Sequence, residues 1–292
     1  MAKTAGETLK FIRESKNLTQ QSVSEGILSR SNYQKAEHGE VMPSFDRFAA
    51  IVSKLNITFD EFIFVRNDYK PTEKQMLLYQ YAEFRTSSQE NKIEKLISEC
   101  DEYLSKKADQ LIFDIRACLE GILLAEKEHD FSHARLKVHY IWERLSKSEQ
   151  LYWNDILLLR NIIFIFELES AIHITKQLLK QLERYKYLYD TKNMAVSLRI
   201  NMGTICLMND RYDLALPYFE EAIPLARKAR LYFSYCMVLL KKGITLQLMN
   251  NGQNDGIDFI QKALNISQAL GDQELYESLE KELAHYEMTF HC

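Results

Sequence analysis

Leu18-Thr-Gln-Gln-Ser-Val-Ser-Glu-Gly26, continued by Ile27-Leu-Ser-Arg-Ser-Asn-Tyr-Gln-Lys-Ala-Glu-His-Gly39, reads as two short helices joined by a tight turn. Thr19 starts the first, Val23 points inward, and Gly26 ends it by permitting positive φ. Ile27 and Leu28 form a buried corner. Ser29 caps the second helix, which Gly39 terminates. Two such helices do little alone, but the second fits the DNA major groove. Its Ser29, Arg30, Ser31, Asn32, Gln34 and Lys35 supply donors and acceptors for base edges and phosphates. Gln20, at the start of the first, sits where such units meet the DNA backbone. Tyr33 and Ala36 face a small core.

The flanks extend this unit. Leu9, Phe11 and Ile12 belong to a preceding helix capped by Thr4. Pro43-Ser44 breaks the chain before a helix with an apolar stripe of Phe45, Phe48, Ile51, Val52 and Leu55. Thr58 begins a fifth helix carrying Phe62. Arg13, Leu18, Thr19, Gln20, Val23, Ser31, Tyr33, Glu37, Gly39 and Pro43 together resemble the phage-repressor-like helix-turn-helix domain. That resemblance implies a structural ion pair between Arg13 and Glu37. Ser22 departs from the family's usual alanine, and His38 from its usual arginine. Residues 1–66 carry nine Lys/Arg and eight Asp/Glu, a net of +1. Phosphate neutralisation dominates DNA affinity, so one such head binds weakly, which predicts a dimer reading two half-sites.

Of the 292 residues, 46% are hydrophobic and 27% charged, with only 9 Gly and 4 Pro, which suits a folded all-helical chain and disfavours a sheet with many turns. The most apolar run, 156–166, is interrupted by Arg160-Asn161, so no membrane span is expected. The polar N-terminus shows no signal segment, which predicts a cytoplasmic protein. Cys100, Cys118, Cys206, Cys236 and Cys292 form no Cys-x-x-Cys pair; the second to fourth sit in apolar helical patterns as core thiols. His129 and His133 are spaced like metal ligands, but Asp130 breaks the His-Glu-x-x-His pattern and the segment reads as a loop. With no phosphate loop and no nucleophile elbow, neither catalysis nor a metal or cofactor is expected.

The expected domains are 1–66, a helix-turn-helix unit; 67–74, a linker broken by Pro71; and 75–292, a helical repeat body for sensing and dimerisation. In the body a small residue recurs on the second helix of each pair: Ala134, Ala171, Ala215 and Gly256, at intervals of 37, 44 and 41. Packing positions follow four residues later at Val138, Thr175, Phe219 and Ile260. The first helices carry Gly121, Gly203 and Gly243, with Leu159 in the second copy. A small residue lets antiparallel helices approach, and the larger residue one turn on fills the groove. Hairpins that cannot bury their apolar faces alone stack into an array. Residues 196–229 resemble a tetratricopeptide repeat most clearly. The fold expected is all-α: a five-helix head followed by a right-handed α-solenoid of tetratricopeptide-like pairs. A segment at 272–288 caps it through Leu275, Leu279, Leu283 and Tyr286.

Arrays of this kind present their first helices on a concave side. The residues expected there include Ile115, Cys118, Ile122, Ala125 and Glu126 from the first pair. Ile156, Ile163, Ile200, Leu207, Leu240 and Ile244 follow in later pairs. A mainly apolar surface with isolated polar groups suits an extended peptide. Trp153, Arg160, Asn161, Phe164, Asn201, Thr204, Met208 and Gln247 are the candidate contacts. An amide pairs with one peptide unit, and Arg160 meets a carboxylate. A helix-turn-helix head with Leu18-Thr19-Gln20 and Glu37-x-Gly39, followed by about 220 residues of degenerate repeats, resembles the Rgg/MutR regulators. That resemblance implies a homodimer joined through the C-terminal helical region, a short signalling peptide in the concave groove, and double-stranded DNA as partner. The alternatives are a regulator controlled by a protein partner, or a repeat scaffold without DNA binding.

Overall fold

The computed structural model describes residues 3–83, 90–128, 131–249 and 256–286. The expectations placed on His129, Asp130, Cys292 and the side chain of Glu126 lie outside the described residues. The chain divides into two compact units, Met1–Glu83 and Phe84–Cys292.

The first unit holds α1 (Ala5–Ser15), α2 (Gln20–Ser24), α3 (Arg30–Glu37), α4 (Phe45–Lys54), α5 (Phe59–Arg66) and α6 (Glu73–Glu83). Helices this short are marginal in isolation, so their ends matter. Thr4, Thr19, Ser29 and Thr58 each accept a backbone N–H from the first turn of the helix they precede. Glu7 in turn accepts the Thr4 N–H, closing a capping box. Gly39 takes φ +76°, where a side chain is strained. Leu9, Ile12, Val23, Tyr33, Ile51, Val52, Leu55, Phe62 and Val65 form one core. Phe45 is not part of it. It occupies the first position of α4, beyond the edge of the core, is 76% exposed, and stacks on Phe59 at 5.8 Å. Core contact along the α4 stripe begins at Phe48, whose ring meets the Phe62 edge at 5.1 Å.

The second unit comprises α7 (Glu90–Lys106), α8 (Gln110–Glu128), α9 (Phe131–Ser146), α10 (Trp153–Ile162), α11 (Leu168–Tyr185), α12 (Lys192–Met208), α13 (Tyr212–Lys228), α14 (Tyr232–Met249), α15 (Ile257–Leu270) and α16 (Gln273–His285). The pairs are α8 with α9, α10 with α11, α12 with α13, and α14 with α15; α8 also meets α10, α12 meets α14, and α14 meets α16. The first helices of the first and second pairs, and of the third and fourth, therefore neighbour each other, while α12 meets the second pair chiefly through α11.

The small-to-large register is visible at atomic level. A Cβ on Gly203 would lie 2.4 Å from the Phe219 ring, one on Gly121 2.8 Å from Val138, and one on Gly243 2.6 Å from Ile260. Ala134, Ala171 and Ala215 are fully buried. Ile115, Cys118, Ile122, Ala125, Ile156, Ile163, Ile200, Leu207, Leu240 and Ile244 are buried as well. The expectation that they form an open apolar floor is therefore corrected. A first helix has a partner helix on one side and neighbouring first helices on the others, so it is apolar nearly all round and most of its surface is core.

Among the described residues no helix is long and apolar enough to cross a membrane. Cys100, Cys118, Cys206 and Cys236 are buried; burial pushes the Cys100 thiol up to about 12 and those of Cys206 and Cys236 to about 11.

A candidate nucleic-acid face and a candidate peptide face

The carboxylate of Glu37, at the last position of α3, organises the first unit. Arg13 of α1 donates to it twice, Nε to Oε1 at 2.6 Å and Nη2 to Oε2 at 3.1 Å. Gln20 of α2 donates through Nε2 to Oε2 at 2.9 Å. Arg13 also donates to the Leu18 carbonyl at 3.0 Å, which holds the turn before α2. Three helices thus meet on one side chain that is 1% exposed. Burial alone raises the Glu37 pKa, but the hydrogen bonds from Arg13 and Gln20 outweigh it and hold the carboxyl below its usual range. The Tyr33 ring is fully buried beside it, and burial followed by the Glu37 charge pushes its phenol up.

Gly6 sets the other boundary of α3. A Cβ there would lie 2.5 Å from the carbonyl oxygens of both Ala36 and Glu37. The C-terminus of α3 is thereby seated directly on the backbone of α1. Local sequence offers no sign of this contact, because the partners are about thirty residues apart.

With Tyr33, Ala36 and Glu37 buried, the opposite face of α3 is open: Ser29, Arg30, Ser31, Asn32, Gln34 and Lys35 are exposed. Ser29 Oγ accepts the Asn32 N–H at 3.2 Å. The remaining side chains of the face present a guanidinium, a hydroxyl, two carboxamides and an ammonium. Gln20 is half-buried, its amide nitrogen committed to Glu37.

In the second unit the candidate peptide contacts fall into three settings. On α12, Ser197, Asn201, Thr204 and Met208 share one face and are its least buried stripe, Met208 at 62%. Thr204 Oγ1 donates to the Ile200 carbonyl at 2.8 Å. The Asn201 carboxamide has no hydrogen bond to any described residue.

On α10, Arg160 Nε donates to Asn161 Oδ1 at 3.2 Å, and Asn161 is buried. The helix stops at Ile162 and tightens into a 3-10 turn over Ile163–Ile165. The Phe164 ring there meets the Phe131 edge at 6.2 Å. Arg135 of α9 holds the turn, donating to the Ile165 carbonyl at 2.7 Å and pairing with Glu167.

Trp153 and Gln247 stand apart from these. Trp153 stacks on Tyr189 at 4.0 Å and lies against Tyr185, within an aromatic cluster at the α11–α12 connection. Gln247 is buried with its Cγ against Gly256, and its amide nitrogen has no hydrogen-bond partner among the described residues. Among the described residues no three His, Cys, Asp or Glu gather as a metal site would require.

Residues 9–62 match the helix-turn-helix family model, and residues 116–281 match the model of the C-terminal domain of HTH-type transcriptional regulator Rgg. Similar folds occur in solved structures of low sequence identity. A putative transcriptional regulator from Listeria monocytogenes EGD-e is 20% identical with a TM-score of 0.75, covering 99% of this chain and 100% of the other. The SHP pheromone receptor Rgg2 of Streptococcus dysgalactiae is 23% identical with a TM-score of 0.70, covering 97% and 100%. PlcR of Bacillus thuringiensis, solved with the peptide PapR7 and DNA, is 22% identical with a TM-score of 0.65, covering 95% and 99%.

Proposed function

The chain belongs to the Rgg family of HTH-type transcriptional regulators, and from that premise we propose how its two units divide the work. Residues 1–66 bind double-stranded DNA, 67–74 connect, and 75–292 sense a short peptide inside the cell and join two copies through the C-terminal helices. No catalytic step is assigned.

On DNA, α3 enters the major groove. Arg30, Ser31, Asn32, Gln34 and Lys35 meet bases and phosphates, while Ser29 and Gln20 lie at the backbone. The observation that carries this reading is the division of α3. One face is locked by Glu37 and seated on Gly6; the other is fully exposed and rich in donors. A rigid helix with a free polar face is what base readout requires.

The peptide lies along the first helices. Asn201, Thr204 and Met208 of α12 and Arg160, Asn161 and Phe164 of α10 supply amide, charge and apolar contacts, with Trp153 and Gln247 at the margins. PlcR, similar in fold along nearly its whole length, was solved holding a peptide and DNA together, which supports a ligand-gated reading for this chain.

The test is a fluorescence-anisotropy titration of the full chain against DNA upstream of its own gene, with and without a peptide fraction from the host cells. Arg30→Ala and Gln34→Ala are each expected to weaken specific binding about tenfold, since a good base contact contributes ~1–3 kcal/mol of discrimination. Unchanged affinity in both variants would remove α3 from the interface.

A further inference from the structure

The repeat register locates one more group on the candidate peptide face. Gly203 of α12 and Gly243 of α14 do the same job, each opposing the large residue of its partner helix, so the two helices align on these glycines. Asn201, two residues before Gly203, then corresponds to Lys241, two before Gly243. Lys241 is only 6% exposed, unusual for a lysine, and its ammonium pairs with Glu282 of α16. Glu282 is the more accessible partner, its side chain 23% exposed. Nothing in the local sequence announces the pair, which bridges 41 residues.

A buried ammonium on a helix as apolar as α14 needs a counter-charge. α16 also buries Leu275, Leu279 and Leu283. A second carboxylate reaching Lys241 along the face would compete with Glu282 for the same ammonium. Resting on the peptide reading above, we propose that Lys241 is a second carboxylate-recognising position of that site, besides Arg160. A peptide carboxylate, terminal or from Asp or Glu, displaces Glu282 and so loosens α16. The site therefore selects peptides bearing a carboxylate over otherwise equal neutral ones.

The probe is a set of synthetic apolar-rich octapeptide pools. One pool has free C-termini and no Asp or Glu, one is amidated with Asp or Glu, and one is amidated without either. Retention by the full chain is read by mass spectrometry, and backbone exchange of 273–285 by hydrogen–deuterium exchange. Retention of a carboxylate pool about tenfold above the neutral pool is expected, with faster exchange in α16; the pool that is favoured tells a terminal from a side-chain carboxylate. Lys241→Met is expected to reduce the preference yet keep the weaker retention of neutral peptides. The double variant Lys241→Met with Glu282→Leu, which leaves no buried charge, guards against simple misfolding. Equal retention of all pools by the native chain, or a preference undiminished by Lys241→Met, would overturn the assignment. No retention of any pool by a chain that still binds DNA would instead overturn the peptide reading itself.

Discussion

The two units hold their helices together by different means. In the first, α1, α2, α3 and α5, of 5 to 11 residues, are begun by capping side chains, and α1 to α3 are tied by one buried carboxylate. In the second, α11, α12 and α13 run 17 or 18 residues and start without a side-chain cap. α12 and α13 are held by shape, the glycine on α12 receiving a ring from α13. Short helices cannot offset their nucleation cost by length, so directional polar bonds do it; α11, α12 and α13 rely on buried apolar surface in place of a cap. The lesson is that the first unit is sensitive to charge and hydrogen bonding, the second to volume.

Glu37→Ala is the sharpest way to break that contrast. It strands the Arg13 guanidinium in the core and is expected to cost about 3–5 kcal/mol, enough to unfold the first unit. Both tryptophans, Trp142 and Trp153, lie in the second unit, so intrinsic fluorescence melts should remain unchanged while DNA binding is lost. Gly203→Ala is the counterpart for volume. The added Cβ collides with the Phe219 ring, and a loss of about 1–3 kcal/mol is expected in urea melts followed by tryptophan fluorescence. Phe219→Leu in the same chain should restore part of it, and a purely additive double variant would contradict the packing account.

Acidity separates the units further. The Glu37 pKa is lowered in the folded chain, so its contribution is present above the ordinary carboxylate range and is lost as pH falls through the lower folded value. Hydrogen exchange on α1 to α3 should therefore accelerate in acid before that on α12 and α13. Smallest of all, Thr58→Ala should cost about 1 kcal/mol, whereas Arg211→Ala, at an N-cap without a side-chain bond, should stay within about 0.5 kcal/mol. Equal losses at the two caps would erase the distinction.

Much of this was legible in the chain. The Thr and Ser caps, the turn glycines and the alternation of small and large residues all act within a few positions, and each marks its element. What escaped depends on partners far away in sequence. Ile162-Ile-Phe-Ile165 is equally apolar whether helical or not, and the end of α10 is secured by Arg135 from α9. Phe45 continues the α4 stripe in sequence but falls past the edge of the core. The burial of Ile200 or Ile244 follows from having helices on several sides, which periodicity within one helix does not report. The second pair shows how far a repeat drifts: Leu159 and Thr175, both fully buried, stand where the third pair has Gly203 and Phe219, so large and small have exchanged helices.

The seat of α3 on Gly6 has a consequence for how such a regulator diversifies. With no room for even a methyl group between the two backbones, the helix cannot be re-aimed by gradual repacking from below. New operator preferences must then arise by exchanging the exposed side chains between Ser29 and Lys35, one at a time, on an unmoving frame. Descendants of one ancestor would come to read different sites while their heads remain superimposable, and a recognition face transplanted from one to another should carry its preference with it.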